Sequence, residues 1–140
     1  MLENGLIIIV DDDADDRLLI EEALKDLDER LEVKTFAYSS DALNYLVETT
    51  DRPVLIICDI NMPMVNGIEF RIQMLGMKEL HKRTIPFVFL TTTASPETIN
   101  KAHELQVQGF FVKQLDYKST FRQLQAIIQY WLHSEPFFLH

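Results

Sequence analysis

Acidic side chains crowd directly behind the first apolar run of the chain. Residues 6–17 read LIIIVDDDADDR, and five of the six residues 11–16 are Asp. Two carboxylates about 5 Å apart oppose each other by roughly 3 kcal/mol at an effective dielectric constant near 20. We therefore expect a cation to sit among some of these side chains.

The five aspartates differ in what they are expected to do. Asp13 suits the N-cap of a following helix, and Asp15 and Asp16 would lie in its first turn, where the helix dipole favours negative charge. These three residues have a structural explanation. Asp11 and Asp12 have none, and they lie where the first predicted strand ends.

A carboxylate, a hydroxyl and an ammonium follow three later apolar runs, in the residues Asp59, Thr91 and Lys113. Each alone has an ordinary explanation as a turn, core or loop residue. Because the carboxyl ends of parallel strands share one edge of a sheet, we expect all three beside Asp11 and Asp12. Three carboxylates there suit Mg²⁺, and the added hydroxyl and ammonium suit a phosphoryl group on a carboxylate.

Alternating apolar runs and helical patterns indicate the elements that carry these side chains. Strands are predicted over residues 6–10, 31–37, 54–58, 87–90 and 109–112. Helices are predicted to begin near Ala14, Asp41, Gly67, Pro96 and Tyr117, with Asp13, Ser40 and Ser95 as N-caps. Five βα repeats predict one α/β domain, a doubly wound five-stranded parallel sheet with helices on both faces.

Composition narrows the class of protein. The chain has 140 residues, 47% of them hydrophobic, which suits one globular domain. The net charge is -9, with 17 acidic and 5 basic residues in the first 70 positions. A broad basic face is therefore absent, and we expect no direct binding to nucleic acid. With one cysteine, no signal peptide and no apolar run of membrane-spanning length, the expected location is cytoplasmic, without membrane binding.

From about Gly5 to His133 the sequence resembles the receiver domain of two-component response regulators, which has a flavodoxin-like fold. The matching stretches are VDD at residues 10–12, DINMP at 59–63, NG at 66–67, LTT at 90–92 and GFFVK at 109–113. The resemblance predicts a receiver domain over residues 4–133, followed by a short apolar tail over residues 134–140.

The resemblance also implies a chemistry. Asp59 would accept a phosphoryl group from the phosphohistidine of a sensor histidine kinase or phosphotransfer protein. Asp11, Asp12, Asp59 and the main-chain carbonyl of Asn61 would surround Mg²⁺ or Mn²⁺. Lys113 would pair with this acidic pocket before phosphorylation and with the phosphoryl group afterwards.

Further positions would control the switch and its lifetime. Thr91 would bind a phosphoryl oxygen and move inward together with Phe110. Asn61 and Thr93 match positions that tune the attack of water on the acyl phosphate, so slow self-dephosphorylation is the only catalysis expected. Gln114 replaces the proline that usually follows the lysine, which leaves both cis and trans open for the Lys113–Gln114 peptide.

A branch of standalone receivers, including those that partner bacterial phytochrome kinases, also lacks this proline and has a similar C-terminal end. That likeness favours a homodimer through the C-terminal half and an output carried by a downstream protein. On the last helix, Phe121, Leu124, Ile128 and Trp131 are predicted to face the core, with Ile127 off that stripe.

Other classes of function remain open from the sequence. A Mg²⁺-dependent phosphatase of the haloacid dehalogenase type would use the D-x-D pattern of residues 11–13 and leave Asp59 without a role. A binding module that works without phosphorylation is a second alternative. A flavodoxin-like carrier is disfavoured, because the first βα loop is acidic where a flavin phosphate would need hydroxyl and amide donors.

Overall fold

Five strands form one parallel sheet in the computed structural model, which describes residues 5–132. The strands are β1 Leu6–Val10, β2 Glu32–Phe36, β3 Leu55–Cys58, β4 Phe87–Thr91 and β5 Gly109–Val112. Their order across the sheet is β2-β1-β3-β4-β5, and every neighbouring pair is parallel. The predicted doubly wound α/β fold is therefore confirmed. The residues predicted as a tail, 134–140, and His133 lie outside the described part.

Six helices connect and cover the strands. They are α1 Ala14–Leu27, α2 Ser39–Glu48, α3 Gly67–Gly76, α4 Lys78–Arg83, α5 Pro96–Glu104 and α6 Tyr117–Leu132. The buried faces of α1 and α6 pack with Ile7 and Ile9 in one core cluster. Helices α2 to α5 pack with Leu6, Ile8 and Val10 in the other. Alternate residues of β1 thus point into opposite layers, as the pleat of a strand requires.

The register of the central strands aligns their carboxyl-terminal parts. Val10 at the end of β1 pairs with Cys58 at the end of β3, and Cys58 pairs with Phe89 in β4. The residues that follow these strands therefore emerge at a common edge of the sheet. This is the edge at which open α/β sheets hold their ligands.

Helix ends agree in part with the prediction. The side chain of Asp13 accepts a hydrogen bond from the amide of Asp16, and that of Ser95 accepts one from the amide of Thr98, as N-caps do. The predicted cap at Ser40 is wrong, because α2 begins at Ser39 and Tyr38 precedes it without a side-chain cap bond.

Two further features differ from the prediction. The sequence patterns do not predict the short helix α4, because its six residues follow α3 with only Met77 between them. Ile127 was predicted to lie off the buried stripe of α6, but it is 4% exposed and belongs to the core. Within residues 5–132, no helix has both the length and the apolar character needed to cross a bilayer.

Candidate functional site

Three carboxylates meet at the carboxyl edge of the sheet. Asp11, Asp12 and Asp59 each offer an oxygen, and these oxygens lie within 4.8 Å of one another. The amide of Asp59 donates to the carbonyl of Val10 at 2.8 Å, and that of Asp11 donates to Phe36 at 3.0 Å. Backbone pairing between strands therefore fixes both residues. Asp11 and Asp59 are buried, whereas Asp12 is exposed.

Burial dominates the chemistry of Asp11, whose exposure is 2%. Loss of water raises the pKa of its carboxyl to about 6 from the ordinary 3.8, although Lys113 and the amide of Asp13 pull it down. The Asp13 amide donates to Asp11 Oδ1 at 2.9 Å. Arg17 donates to the main-chain carbonyl of Asp11 at 2.7 Å, which ties α1 to the end of β1.

The ammonium of Lys113 lies among the carboxylates. Its Nζ is 2.7 Å from Asp11 Oδ2, 2.7 Å from Asp16 Oδ2 and 3.4 Å from Asp59 Oδ2. Burial alone would lower the pKa of Lys113, but its hydrogen bonds to Asp11 and Asp16 outweigh burial and raise it. Lys113 therefore supplies part of the positive charge that is expected among the aspartates.

Asp16 is a site residue that the sequence did not reveal. The sequence assigned its carboxylate only to the first turn of α1, yet it pairs with a lysine 97 positions away. No local spacing encodes such a contact. The signal available was indirect: the first turn holds two carboxylates, Asp15 and Asp16, that neither the predicted cap nor the predicted metal ligands require.

The segment after Asp59 folds tightly beneath it. Asp59 Oδ1 accepts from the amide of Ile60 at 2.8 Å, and the amide of Gly67 donates to the carbonyl of Ile60 at 2.8 Å. A Cβ on Gly67 would lie 2.2 Å from the carbonyl oxygen of Asp59. Only glycine fits here, because the start of α3 presses directly against the residue that bears the carboxylate.

Cys58 lies in the core of the sheet. Its side chain is fully buried, and its Sγ donates to the carbonyl of Asp59 at 3.0 Å. Burial first, and the neighbouring carboxylates second, raise the pKa of the thiol well above its ordinary value. The thiol is therefore kept neutral and away from solvent.

Thr91 carries a buried hydroxyl that no group in residues 5–132 satisfies. Such an atom costs about 1–3 kcal/mol when it has no partner. Phe110 is half-buried against the core, with its ring centre 6.2 Å from that of Phe89 in an edge-on arrangement. These two residues are at neighbouring strands β4 and β5, as the predicted switch pair requires.

Asn61 and Thr93 meet over the mouth of the site. Asn61 Nδ2 donates to Thr93 Oγ1 at 3.2 Å, and both side chains are exposed. Asn61, Lys113, Asp12 and Asp59 line the same open cleft, whose volume is about 430 Å³. The cleft gives the carboxylates access to a small molecule or to a partner side chain.

The loop after β5 settles a question that the sequence left open. The Lys113–Gln114 peptide is trans. The amide of Lys113 donates to the carbonyl of Thr91 at 2.8 Å, so the lysine is anchored to the end of β4. The side chain of Gln114 donates to the carbonyl of Val112 at 3.1 Å.

The donor set fits a hard divalent cation. Three carboxylates face one region, and the nearby ammonium cannot neutralise them all. Oxygen ligands at a solvent-facing cleft suit an ion such as Mg²⁺, which keeps several waters. The structure thus brings together Asp11, Asp12, Asp59, Asn61, Thr93 and Lys113, with Thr91 buried at the adjoining strand end.

Comparisons with known proteins agree with this geometry. A family model described as the response regulator receiver domain matches residues 7–126. Response regulator Rcp1 of Synechocystis sp. is 28% identical over 134 residues, which cover 92% of this chain and 90% of that protein.

Solved structures extend the likeness to three dimensions. The phosphorylated cyanobacterial phytochrome response regulator RcpA has a TM-score of 0.85 and 28% identity, covering 94% of this chain and 96% of that one. The Mn²⁺-bound form of response regulator Rcp1 has a TM-score of 0.81 and 27% identity, with the same coverage. The chain therefore belongs to the family of response regulator receiver domains.

Proposed function

We propose that Asp59 accepts a phosphoryl group from a phosphohistidine and so switches the protein between two signalling states. The observation that carries the proposal is the buried Asp59 carboxylate, which lies within a cluster of acidic oxygens and 3.4 Å from the Lys113 ammonium. Phosphoryl transfer depends chiefly on positioning and on charge neutralisation, and this arrangement offers both.

The chemistry is a displacement at phosphorus. An oxygen of Asp59 attacks as the bond between phosphorus and the histidine nitrogen breaks, and the electron pair of that bond leaves with the histidine. Lys113 pairs with the phosphoryl oxygens. Asp11, Asp12, Asp59 and the main-chain carbonyl of Asn61 would hold Mg²⁺ or Mn²⁺. When bound, the ion would neutralise the phosphoryl oxygens and orient the in-line displacement.

The switch would use Thr91 and Phe110. The Thr91 hydroxyl has no partner among the described residues, so a phosphoryl oxygen would supply the missing acceptor. Movement of Thr91 inward would open space beside β5 for Phe110, whose ring already packs at the core boundary. Phenylalanine cannot hydrogen-bond in that space, so this half of the switch would depend on packing.

The lifetime of the acyl phosphate would depend on Asn61 and Thr93. Their mutual hydrogen bond lies at the cleft through which water would approach. Both side chains are polar, and we therefore expect slow self-hydrolysis. We propose no other enzymatic activity for the chain.

Partners follow from the family and its relatives. Receiver domains receive their signal from histidine kinases or phosphotransfer proteins, and two similar structures are described as a phytochrome response regulator and as Rcp1. We propose a kinase of the phytochrome type, a homodimer through the C-terminal half and a downstream protein target, without direct nucleic-acid binding. The single free cysteine suits the reducing conditions of the cytoplasm.

The competing functions are less favoured. A phosphatase of the haloacid dehalogenase type would leave Asp59 idle, and the family match covers the whole site. A module that works without phosphorylation would have no need of a buried carboxylate beside an ammonium and an unpartnered hydroxyl.

Labelling of the intact protein tests the phosphoacceptor. The protein is incubated with acetyl phosphate and Mg²⁺, and intact and peptide mass spectra are recorded. We expect one phosphoryl group on the peptide that carries Asp59, none after Asp59→Asn and unchanged labelling in Asp51→Asn, which alters an exposed aspartate. Label that persists in Asp59→Asn, or that is absent from the unaltered protein, would overturn the proposal.

Sedimentation velocity tests the homodimer. The unaltered protein is measured at tens of micromolar with and without acetyl phosphate. A dimer in either state supports the proposed association. A monomer in both states removes it without affecting the phosphoacceptor.

A further inference from the structure

The Lys113 ammonium is shared unequally among three carboxylates. It lies 2.7 Å from both Asp11 and Asp16 but 3.4 Å from Asp59. Short charge-assisted hydrogen bonds have lengths near 2.7–2.9 Å, so the first two contacts are strong and the third is weak. Lys113 thus contacts Asp11 and Asp16 more closely than it contacts Asp59, the proposed phosphoacceptor.

The second strong contact does not follow from any role already given to Asp16. Asp13 already caps α1, and the group of oxygens that suits a metal consists of Asp11, Asp12 and Asp59. The amide of Asp16 donates a hydrogen bond to the capping carboxylate of Asp13 at 3.0 Å, and this bond holds the helical turn in place. The Asp16 carboxylate is therefore presented to Lys113 by a rigid element.

Lys113 is anchored from the opposite side. Its amide donates to Thr91 at 2.8 Å, at the junction of β4 and β5. The Lys113 side chain is 11% exposed and that of Asp16 is 34% exposed, so the ion pair between them is only partly screened by water. The contact forms a bridge between the first turn of α1 and the end of β5.

We propose that Asp16 is a positioning residue that restrains Lys113 and keeps its ammonium from closing onto Asp59 before phosphorylation. This inference rests on the proposed phosphoacceptor role of Asp59. An ammonium has three N–H donors, and Asp11 and Asp16 hold two of them. The third reaches Asp59 at 3.4 Å. Without Asp16, the ammonium moves closer to Asp59, and the shorter contact stabilises the nucleophile in an unreactive pair.

Two variants in the first turn of α1 separate the effect of the contact between Asp16 and Lys113 from the effect of removing one negative charge. Asp16→Asn removes the restraint, and Asp15→Asn removes the same charge from a neighbouring residue that forms no salt bridge within the described chain. Single-turnover labelling is followed with Mg²⁺ over a range of phosphoramidate concentrations. This yields the maximal rate apart from the affinity for the donor.

We expect the maximal rate of Asp16→Asn to fall up to about fivefold relative to Asp15→Asn, which is the upper range for losing a partly screened ion pair. Asp16→Glu restores a carboxylate and recovers part of the rate. In ¹⁵N spectra of the lysine ammonium, the Lys113 signal shifts in Asp16→Asn and keeps its position in Asp15→Asn. A purely structural role for Asp16 would leave that local signature unchanged.

Two results would overturn the inference: labelling of Asp16→Asn at least as fast as that of Asp15→Asn, or an unshifted Lys113 signal. Failure of the proposed function is seen separately. In that case the unaltered protein takes no label, or label remains after Asp59→Asn, whatever happens at Asp16.

Discussion

Two polar groups at the site are buried in surroundings that raise the free energy of the folded protein. The Asp11 carboxyl is 2% exposed and has a raised pKa, and the Thr91 hydroxyl has no partner among the described residues. Under the proposed function, a bound cation would favour the ionised form of Asp11, and a phosphoryl oxygen would accept a hydrogen bond from Thr91.

The Asp11 carboxyl makes the stability of the metal-free protein depend on pH. Its folded-state pKa of about 6 lies above the unfolded value of 3.8, so the folded protein keeps this proton longer as the pH rises. The stability contributed by the protonated carboxyl is complete below pH 3.8 and is lost as the pH rises through about 6.

Replacement of Asp11 by asparagine should remove this loss of stability at high pH. At pH 7.5 with a chelator, we expect Asp11→Asn to raise the free energy of unfolding by about 1–3 kcal/mol, with little difference from the unaltered protein at pH 4. Urea unfolding at both pH values measures this difference, with Asp51→Asn as the control. An equal gap at the two pH values would contradict the assignment.

Thr91 and Thr120 offer a matched pair of buried hydroxyls. Thr120 donates to the carbonyl of Asp116 at 2.8 Å, whereas Thr91 has no partner in the described chain. We expect Thr91→Val to change the free energy of unfolding by less than about 1 kcal/mol or to raise it, and Thr120→Val to lower it by about 0.5–1.5 kcal/mol. Urea unfolding without metal compares them. A larger loss at Thr91 would mean that its hydroxyl is already satisfied.

Single residues were predictable where local chemistry defined them. Asp11, Asp12, Asp59, Thr91 and Lys113 each follow an apolar strand, and the structure places them at one edge. The role of Asp16 was missed because its partner lies 97 positions away and the helix dipole already explained its charge.

At the scale of elements, α3 begins against the backbone of Asp59. The capping box of Asn66 and Glu69 starts the helix, and Gly67 allows it to approach the Asp59 carbonyl. The position of this helix and the position of the Asp59 carboxylate are therefore coupled through a contact between backbones.

Alanine at the two glycines of α3 measures that coupling. At Gly67 the new Cβ would lie 2.2 Å from the Asp59 carbonyl oxygen, whereas at Gly76 it would meet nothing within 4 Å. We expect Gly67→Ala to lower the free energy of unfolding by about 1–3 kcal/mol and to slow labelling of Asp59. Gly76→Ala should raise the free energy by up to about 1 kcal/mol. Equal effects in urea unfolding would argue against the close approach.

The observed bounds of the strands and helices show which features the sequence patterns do not predict. All five strands were predicted, and three of them, β1, β3 and β4, are fully buried and are continuous apolar runs, as is typical of parallel strands. The helix α4 was missed because KELHKR is short and buries only Leu80. The residue type of Ser40 predicts a cap, but α2 begins at Ser39, two residues before the predicted start at Asp41. Ser39 is buried, and its hydroxyl donates to the carbonyl of Val65.

Across the whole molecule, the acidic charge gathers in the half that carries the three clustered carboxylates Asp11, Asp12 and Asp59. Residues 1–70 hold 17 acidic and 5 basic side chains, and residues 71–140 hold 5 and 8. The topology explains how one site draws on both halves, since β1 and β3 lie next to each other and β4 and β5 follow. Parallel strand order could be expected from the repeats, but contacts between distant side chains could not.

Binding of Mg²⁺ should stabilise the entire fold. At a free concentration one hundred times the Kd, we expect the free energy of unfolding to rise by about 2.7 kcal/mol, and the gain should shrink at high ionic strength. Asp12→Asn should lose most of this gain while the metal-free protein keeps its stability, because Asp12 is exposed. Thermal unfolding in MgCl₂ against NaCl of equal ionic strength provides the measurement. A gain of equal size in both salts would exclude a specific site.

The chain has one cysteine, and Cys58 lies in the middle of the sheet with its thiol bonded to the Asp59 carbonyl. An alkylating reagent can reach this sulfur only when the central strands separate. The rate of Cys58 alkylation therefore measures how often the sheet opens, and it needs no engineered probe. Ligands that bind in the neighbouring cleft and stabilise the fold would slow this alkylation.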